Sequence, residues 1–188
     1  MYNKPLSRKT EVVSLRVPSE KVDTIKRLAA SRKVSFNVLV NQILDEYFDF
    51  NVYAKSAGYI TLPRKTIISL LELADQRMLD HVGSPTKTAL AELVYLIKGK
   101  FTLQSFLNTF FAWLRDSRFV YSDHFENGSR TVSVNHNMGK KWSLLLKEVV
   151  GAIMDELHAP VRFEVLPNIL IFSIREGEEE IESMRTTA

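Results

Sequence analysis

Side chains able to bind an anion cluster at residues 135–143 of this 188-residue chain, which read NHNMGKKWS. Here a predicted strand ends and a predicted helix begins, so unpaired backbone amides and the positive end of the helix dipole lie beside two lysines. A glycine in the run allows a ligand to approach the backbone closely. The run therefore predicts an anion or small-ligand pocket of five residues: Asn135, His136, Asn137, Gly139 and Lys140. A capped strand-to-helix turn with solvated lysines is the alternative.

A second chemical pattern lies at residues 12–17, where VVSLRV alternates as a strand does. One face carries Val13, Leu15 and Val17. The opposite face carries Val12, Ser14 and Arg16. A lone strand has unpaired edges and too little core, so a second copy of the chain is expected to pair with it. Because a two-stranded ribbon fits the DNA major groove, Val12, Ser14 and Arg16 are candidate base-reading residues. The alternative is an edge strand lying on the carboxy-terminal domain.

Two amphipathic helices are predicted after this strand. Ser19 is the predicted cap of the first helix, which should end near residues 32–34, and Ser35 is the predicted cap of the second. The apolar series of the second helix continues in steps of four and three as far as residue 57. The helix is therefore predicted to run toward Gly58 as a spacer or a dimer seam.

Residues 11–48, EVVSLRVPSEKVDTIKRLAASRKVSFNVLVNQILDEYF, resemble the ribbon-helix-helix family of DNA-binding proteins, the family of the MetJ, Arc and CopG repressors. The strand-Pro-Ser start and the two apolar helices match that family in order and length. The resemblance implies an obligate dimer whose ribbon reads bases through Val12, Ser14 and Arg16. It also implies that the start of the second helix binds phosphate, through Ser35, Phe36 and Asn37. Lys33 and Val34 stand where the family usually has a glycine.

The charge of the chain is concentrated at its amino end. Residues 1–40 hold nine Lys and Arg against three Asp and Glu, 41–173 are balanced, and 174–188 are acidic. A basic segment favours a polyanion, because cations placed along phosphates release condensed counterions. Lys9 is a candidate phosphate contact on this ground.

Composition narrows the remaining function classes. The chain has no cysteine, which excludes disulfides, thiolate metal sites and a cysteine nucleophile. It has no apolar run of about 18 residues and no signal-peptide core, so a cytoplasmic, nucleoid-associated protein without membrane association is expected. No phosphate-loop, serine-hydrolase or zinc-protease motif is present, so no catalytic residues are assigned and an enzyme is not expected.

The pattern of elements predicts the following division: a DNA-binding module at 1–50, a helical connector at 51–100, an α+β domain at 101–175 and a disordered acidic tail at 176–188. Within the connector, a linker is predicted at 80–83, before a helix that begins at Ser84 and Pro85. In the α+β domain, Asn127-Gly128 and Pro167-Asn168 mark two hairpins around a helix at 138–158.

The resulting α-β-β-α-β-β order is a circular permutation of the ferredoxin-like plan. It predicts a small antiparallel sheet with helices on one face, and therefore the α+β class. This part of the chain bears only a faint likeness to archaeal proteins that carry the same amino-terminal module, and that likeness implies no mechanism.

Together these features predict a dimeric or tetrameric, sequence-specific regulator of transcription that binds double-stranded DNA. Its second domain would sense a small-molecule effector or join subunits. No cofactor is expected, and a metal site at His124, His136 and His158 is disfavoured, since no two share helix spacing and no cysteine assists. One alternative is an antitoxin or adaptor whose carboxy-terminal domain binds a protein. Another is a metabolic enzyme with a DNA-binding appendage.

Overall fold

The computed structural model describes residues 10–175, and the chain divides between Leu44 and Asp45 into two compact units. Its helices and its four-stranded antiparallel sheet confirm the predicted mixed α+β class. The candidate phosphate contact Lys9 and the acidic tail at 176–188 lie outside the described residues.

The first unit contains the helix α1 over Ser19–Ser31 and most of the helix α2, which spans Phe36–Glu46. The predicted strand at 12–17 was expected to form against a second copy, and residues 10–18 pair with no strand of the described chain. Ser19 is not the cap of α1. Pro18 takes the capping position with φ −52° and ψ 137°, so the helix begins one residue earlier than its serine suggests.

The turn between α1 and α2 is a Schellman motif, in which two amides close the end of α1. Val34 N–H donates to Ala29 O at 3.0 Å. Lys33 N–H donates to Ala30 O at 3.1 Å. Lys33 has a φ of +56°, the left-handed conformation that glycine adopts most easily. A lysine therefore adopts, at this position, the conformation for which ribbon-helix-helix proteins usually use glycine.

The second unit begins with the continuation of the α2 helical run. Tyr47–Asn51 is π-helical, and the short helix α3 spans Val52–Ala54. Phe50 and Ala54 are buried in the core of this unit. A π-helical turn shifts the face of the residues that follow it. These two positions of the apolar series therefore contribute to a core within one chain rather than to an exposed seam.

Three further helices follow: α4 over Arg64–Leu73, α5 over Gln76–Lys98 and α6 over Leu103–Asp116. The prediction of a linker at 80–83 is wrong, because α5 continues through it and contains Pro85 in its interior. Asp75 caps α5, its side chain accepting from Met78 N–H at 2.9 Å.

Packing explains why α5 tolerates an internal proline, which costs about 3 kcal/mol in an isolated helix. One face of α5 is buried along the length of the helix. The buried residues of this face are Leu79, Gly83, Leu90, Leu93 and Val94. Four of them share a single core cluster with the sheet, namely Leu79, Leu90, Leu93 and Val94. Residues 51–100 thus belong to the same compact unit as 101–175 and do not form a separate connector.

The sheet is formed by two hairpins separated by a helix. Its elements are β1 over Val120–Glu126, β2 over Ser129–Asn135, α7 over Lys140–Glu156, β3 over Val161–Val165 and β4 over Ile169–Arg175. The strands lie in the order β1-β2-β4-β3, and all neighbours are antiparallel. Asn127 and Gly128 both have positive φ, as a two-residue hairpin turn requires. Both predicted hairpins are therefore present.

One face of the sheet forms the core with α6 and α7. Phe172 on β4 lies directly opposite Val132 on β2 and Phe163 on β3. Its ring meets that of Phe110 on α6 edge-on, with 6.0 Å between centroids. The alternate residues of β4 point the other way, and Ile171 is only half-buried. The predicted arrangement, with helices on one face, agrees with this packing.

Removing the side chain of Phe172 should therefore cost far more stability than removing its neighbour. We expect Phe172→Ala to lower the free energy of unfolding by about 3–5 kcal/mol, because it leaves a cavity between α6 and the sheet. Ile171→Ala, on the opposite face of the same strand, should cost about 1–2 kcal/mol. Urea denaturation of both variants measures the difference, and equal losses would contradict the assignment of faces.

Candidate functional site

The candidate base-reading residues Val12, Ser14 and Arg16 are exposed to solvent. The intervening apolar residues are exposed as well, with 71% of Val13 and 75% of Leu15 accessible. Ser14 therefore lies between two exposed aliphatic side chains.

The apolar surface continues onto both helices of the first unit. Exposed apolar side chains on α1 and α2 include Leu28, Phe36, Val38, Ile43 and Leu44. Among residues 10–44, only Ala29 and Leu39 are buried. This unit therefore contains the apolar side chains of a core without enough neighbours in its own chain to bury them.

The start of α2 has the local geometry expected of a phosphate-binding site. The Ser35 hydroxyl oxygen accepts from Val38 N–H at 3.2 Å, which confirms Ser35 as the cap. The N–H groups of Phe36 and Asn37 lie in the first turn, where a helix supplies no acceptor. Two backbone donors at the positive end of the helix are thus available to an anion.

The basic side chains of the first unit are not neutralised by nearby acids. Its exposed cations on α1 and the following turn are Lys21, Lys26, Arg27, Arg32 and Lys33. Across residues 10–44, no Lys or Arg lies within ion-pair distance of a described carboxylate. Their positive charge therefore remains available to an external polyanion.

His136 belongs to the core of the second unit and has no exposed surface. Met138 N–H donates to its Nδ1 at 3.0 Å, so the ring proton is on Nε2. That proton is donated to the Ser143 hydroxyl at 2.8 Å, and the hydroxyl donates to Leu166 O at 2.7 Å. Both ring nitrogens of His136 are therefore occupied by bonds within the chain.

The rest of the 135–143 run leads from β2 into α7, which begins at Lys140 after Gly139 without a side-chain cap. Gly139 N–H donates to the Asn168 side-chain oxygen at 3.0 Å, which leaves this amide unavailable to an anion. Asn137 and Lys140 are exposed, while Asn135 is half-buried with its side-chain oxygen unpaired. The run is thus a turn that joins β2 to α7, in which Lys141 donates to Glu72 O at 2.8 Å and to Ala74 O at 2.6 Å.

Burial, together with a smaller effect of the nearby Arg64 guanidinium, lowers the pKa of His136 from 6.5 to about 4. The imidazole is therefore neutral at neutral pH. It serves as a hydrogen-bonding link between the end of β2, the start of α7 and the β3–β4 hairpin.

A cleft of about 580 Å³ lies beside this turn, entirely within the second unit. Five aromatic residues are among those that line it: Phe50, Tyr59, Trp113, Phe119 and Trp142. Three charged residues also line it: Lys55, Arg64 and Asp116. Burial raises the pKa of Tyr59 to about 12, so its hydroxyl remains protonated. This volume and lining are typical of small-ligand sites.

Arg64 is the best-positioned cation of the cleft. Its guanidinium carbon lies 5.1 Å from the centre of the Phe119 ring, a cation–π contact. It donates to two carbonyl oxygens, Ser117 O at 3.2 Å and His136 O at 3.4 Å. No described carboxylate lies within ion-pair distance of it.

The sequence pattern did not predict this cleft. Its residues come from stretches as distant as Phe50 and Trp142, and both read as parts of apolar helix faces. One signal was present, because Arg64 follows Pro63 at the start of a helix and therefore lies at an element boundary. No spacing rule connects that arginine with aromatic residues about fifty and eighty positions later.

No protein-family model matches this chain, and no curated protein matches it either. Among the described residues, no helix combines the length and the apolar character needed to cross a membrane. Within residues 10–175, no three His, Asp or Glu side chains come together as a metal site would require.

The buried His136 should make stability depend on pH. The unfolded chain binds this proton near pH 6.5 and the folded protein only near pH 4, so between these values the unfolded state carries the extra proton. The contribution is complete above pH 6.5 and is lost as the pH falls toward 4. It amounts to on the order of 3 kcal/mol, at about 1.36 kcal/mol per pKa unit.

Urea denaturation between pH 7 and 4.5 measures how the free energy of unfolding depends on pH. The proteins compared are the wild type and the variants His136→Gln and His124→Gln. We expect His136→Gln to be less stable than the wild type at pH 7, because it disrupts the bonds to Met138 and Ser143, and to show a flatter pH dependence. His124→Gln, at an exposed position on β1, should keep the wild-type slope. A wild-type slope in His136→Gln would show that another group titrates.

Proposed function

We propose that this protein is a dimeric, sequence-specific DNA-binding regulator of transcription. In this proposal the 12–17 segments of two copies pair as an antiparallel ribbon in the major groove. Bases are read by Val12, Ser14 and Arg16. Phosphates are bound by Ser35, Phe36 and Asn37 at the start of α2, and by Lys9. The observation that carries the proposal is the uncovered apolar surface of the first unit beside its unneutralised basic residues.

The contrast in burial between the two units supports the proposed dimer. The second unit buries a complete core, whereas residues 10–44 bury two side chains. Burying apolar surface stabilises by about 25 cal/mol per Å², so a second copy placed on this surface would add the core that one copy lacks. Antiparallel pairing would also satisfy the backbone groups of residues 12–17.

DNA is the polyanion best suited to this arrangement. Phosphates match the exposed cations of α1 and the open amides at the start of α2. A ribbon exposes alternate side chains to the groove, and Arg16 is the one among the three candidates that can donate two hydrogen bonds to guanine. Two-fold symmetry of the dimer implies an operator whose two halves are related by inversion.

The second unit is proposed to be a permuted ferredoxin-like domain that senses an effector or joins subunits. β2 and β3 run parallel, are connected by α7 and are separated in the sheet by β4. A split β-α-β unit of this kind supports the assignment.

Arg16→Ala should weaken binding to a selected operator. DNA sites are first enriched from a random pool by the wild-type protein, and the affinity of each variant is then measured at two salt concentrations. We expect a loss of about 1–3 kcal/mol on the selected site, roughly 5- to 150-fold, with a much smaller loss on unrelated DNA.

The matched control is Arg162→Ala, which removes an exposed arginine from β3 in the second unit and should bind as the wild type does. If no site is enriched and the binding that remains does not depend on salt, the protein does not act as proposed.

Two lysine substitutions in the 12–17 segment test the different roles proposed for its two faces. Leu15→Lys should convert the dimer to a monomer and abolish operator binding, since it places a charge in the proposed core. Val12→Lys, on the outer face, should leave the dimer intact. Sedimentation velocity measures the oligomeric state. The side chains of Leu15 and Val12 are both largely exposed in one copy, so equal effects of the two substitutions would contradict the proposed dimer.

A further inference from the structure

We infer that the aromatic cleft of the second unit binds a small organic monocarboxylate with a flat apolar body. The binding site is independent of the proposed DNA-binding function. Its role as an effector site, which would modulate operator affinity, rests on that function.

The walls of the cleft select the apolar body of the ligand. The Phe119 ring packs edge-on against Trp113 at 5.7 Å and against Trp142 at 6.3 Å, measured between ring centroids. Phe50 and Tyr59 form a second edge-on pair at 5.7 Å. Rings fixed by such contacts present rigid apolar surfaces, which favour a planar group over a flexible polar one.

The charges of the cleft select a single negative charge. Arg64 and Lys55 are cationic and Asp116 is anionic, so the cleft has one excess positive charge. The Asp116 carboxylate accepts from the Asn51 side-chain amide at 2.9 Å, which holds it on one side. A dianion would be repelled by this carboxylate, whereas a monoanion can pair with Arg64.

Arg64 is suited to a carboxylate by its geometry. A guanidinium has five N–H donors, and this one uses two of them on carbonyl oxygens at 3.2 and 3.4 Å. The cation–π contact with Phe119 and these two carbonyl bonds hold the guanidinium in place before a ligand arrives. Two parallel hydrogen bonds from an arginine fit the two oxygens of a carboxylate.

The cleft is connected through the backbone to the proposed DNA-binding helix. Phe50, Asn51 and Ala54 line it, and they belong to the helical run that begins at Phe36 and passes through the π-helical turn. A ligand in the cleft would therefore contact the carboxy-terminal end of this helical run. The amino-terminal end of the same run is proposed to bind phosphate. A ligand shifts an equilibrium only through such differential contacts.

Intrinsic fluorescence tests the site directly, because the chain has two tryptophans and both line the cleft. The full-length protein is titrated with 3-phenylpropionate, with its neutral amide and with the doubly charged phenylsuccinate. We expect a saturable change in tryptophan emission with 3-phenylpropionate. The amide and the dianion should each bind about tenfold more weakly, as expected when one charge-assisted pair is lost or opposed.

Arg64→Gln should also weaken 3-phenylpropionate binding about tenfold and leave the amide unaffected. The matched control is Arg162→Gln, which removes an exposed arginine outside the cleft and should bind as the wild type does. Far-ultraviolet circular dichroism checks the fold of each variant. If Arg64→Gln does not fold, Lys55→Gln replaces it, with an expected loss of a few-fold.

The site is overturned if 3-phenylpropionate gives no saturable change at millimolar concentration, if the acid and its amide bind equally, or if the cleft substitutions have no effect. A parallel measurement of operator affinity with and without the ligand separates the two proposals. Ligand binding by a protein that binds no operator supports the site and contradicts the DNA-binding function. Ligand binding that leaves operator affinity unchanged contradicts only the effector role.

Discussion

The packing of α6 and α7 on one face of the β2–β4 pair is the interaction on which the rest of the second unit depends. Phe172 lies between Val132 and Phe163 in the sheet and meets Phe110 from α6. The buried residues of α7 belong to the same core cluster, and their packing fixes where α7 begins. The first turn of α7 therefore has a fixed position relative to the end of β2. The polar turn at 135–143 forms between these two elements.

His136 then connects that turn to its surroundings. Its bonds to Met138 N–H and to Ser143, with the onward bond to Leu166 O, join three elements through one buried ring. The backbone oxygen of the same residue accepts from Arg64. The turn at 135–143 thus helps to orient Arg64 in the cleft. The packing of the core in turn determines where that turn forms. A residue that resembles a ligand-binding group in the sequence instead positions the group that we propose binds the ligand.

Predictions from the sequence agreed with the structure where the feature depended on a few adjacent residues. They failed where it depended on distant parts of the chain. Asn127-Gly128 predicted its hairpin and Ser35 its cap, since positive φ and first-turn amides are properties of a few adjacent residues. Pro85 led to the incorrect prediction that a helix begins there, because the free-energy cost of an internal proline is a local property. The burial of α5 that compensates for this cost comes from distant parts of the chain. His136 misled for a similar reason, because its type shows that it can bind but not that Ser143 and Met138 already occupy it. The cleft combines residues from four helices and several turns, so no sequence window contains it.

The contrast in burial between the two units also bears on how assembly and function are coupled. Residues 10–44 bury too little to hold a fixed tertiary structure alone, so their order and their pairing with a second copy should arise together. In the proposed function the ribbon forms only in the dimer, so operator binding would require that dimer. The α2 helix crosses the division of the chain at Leu44 and continues into the π-helical turn that lines the cleft. A ligand that changes the preferred conformation of that turn would act on a helix of the proposed dimer. Its effect on DNA affinity should then be greatest near the concentration at which the dimer forms.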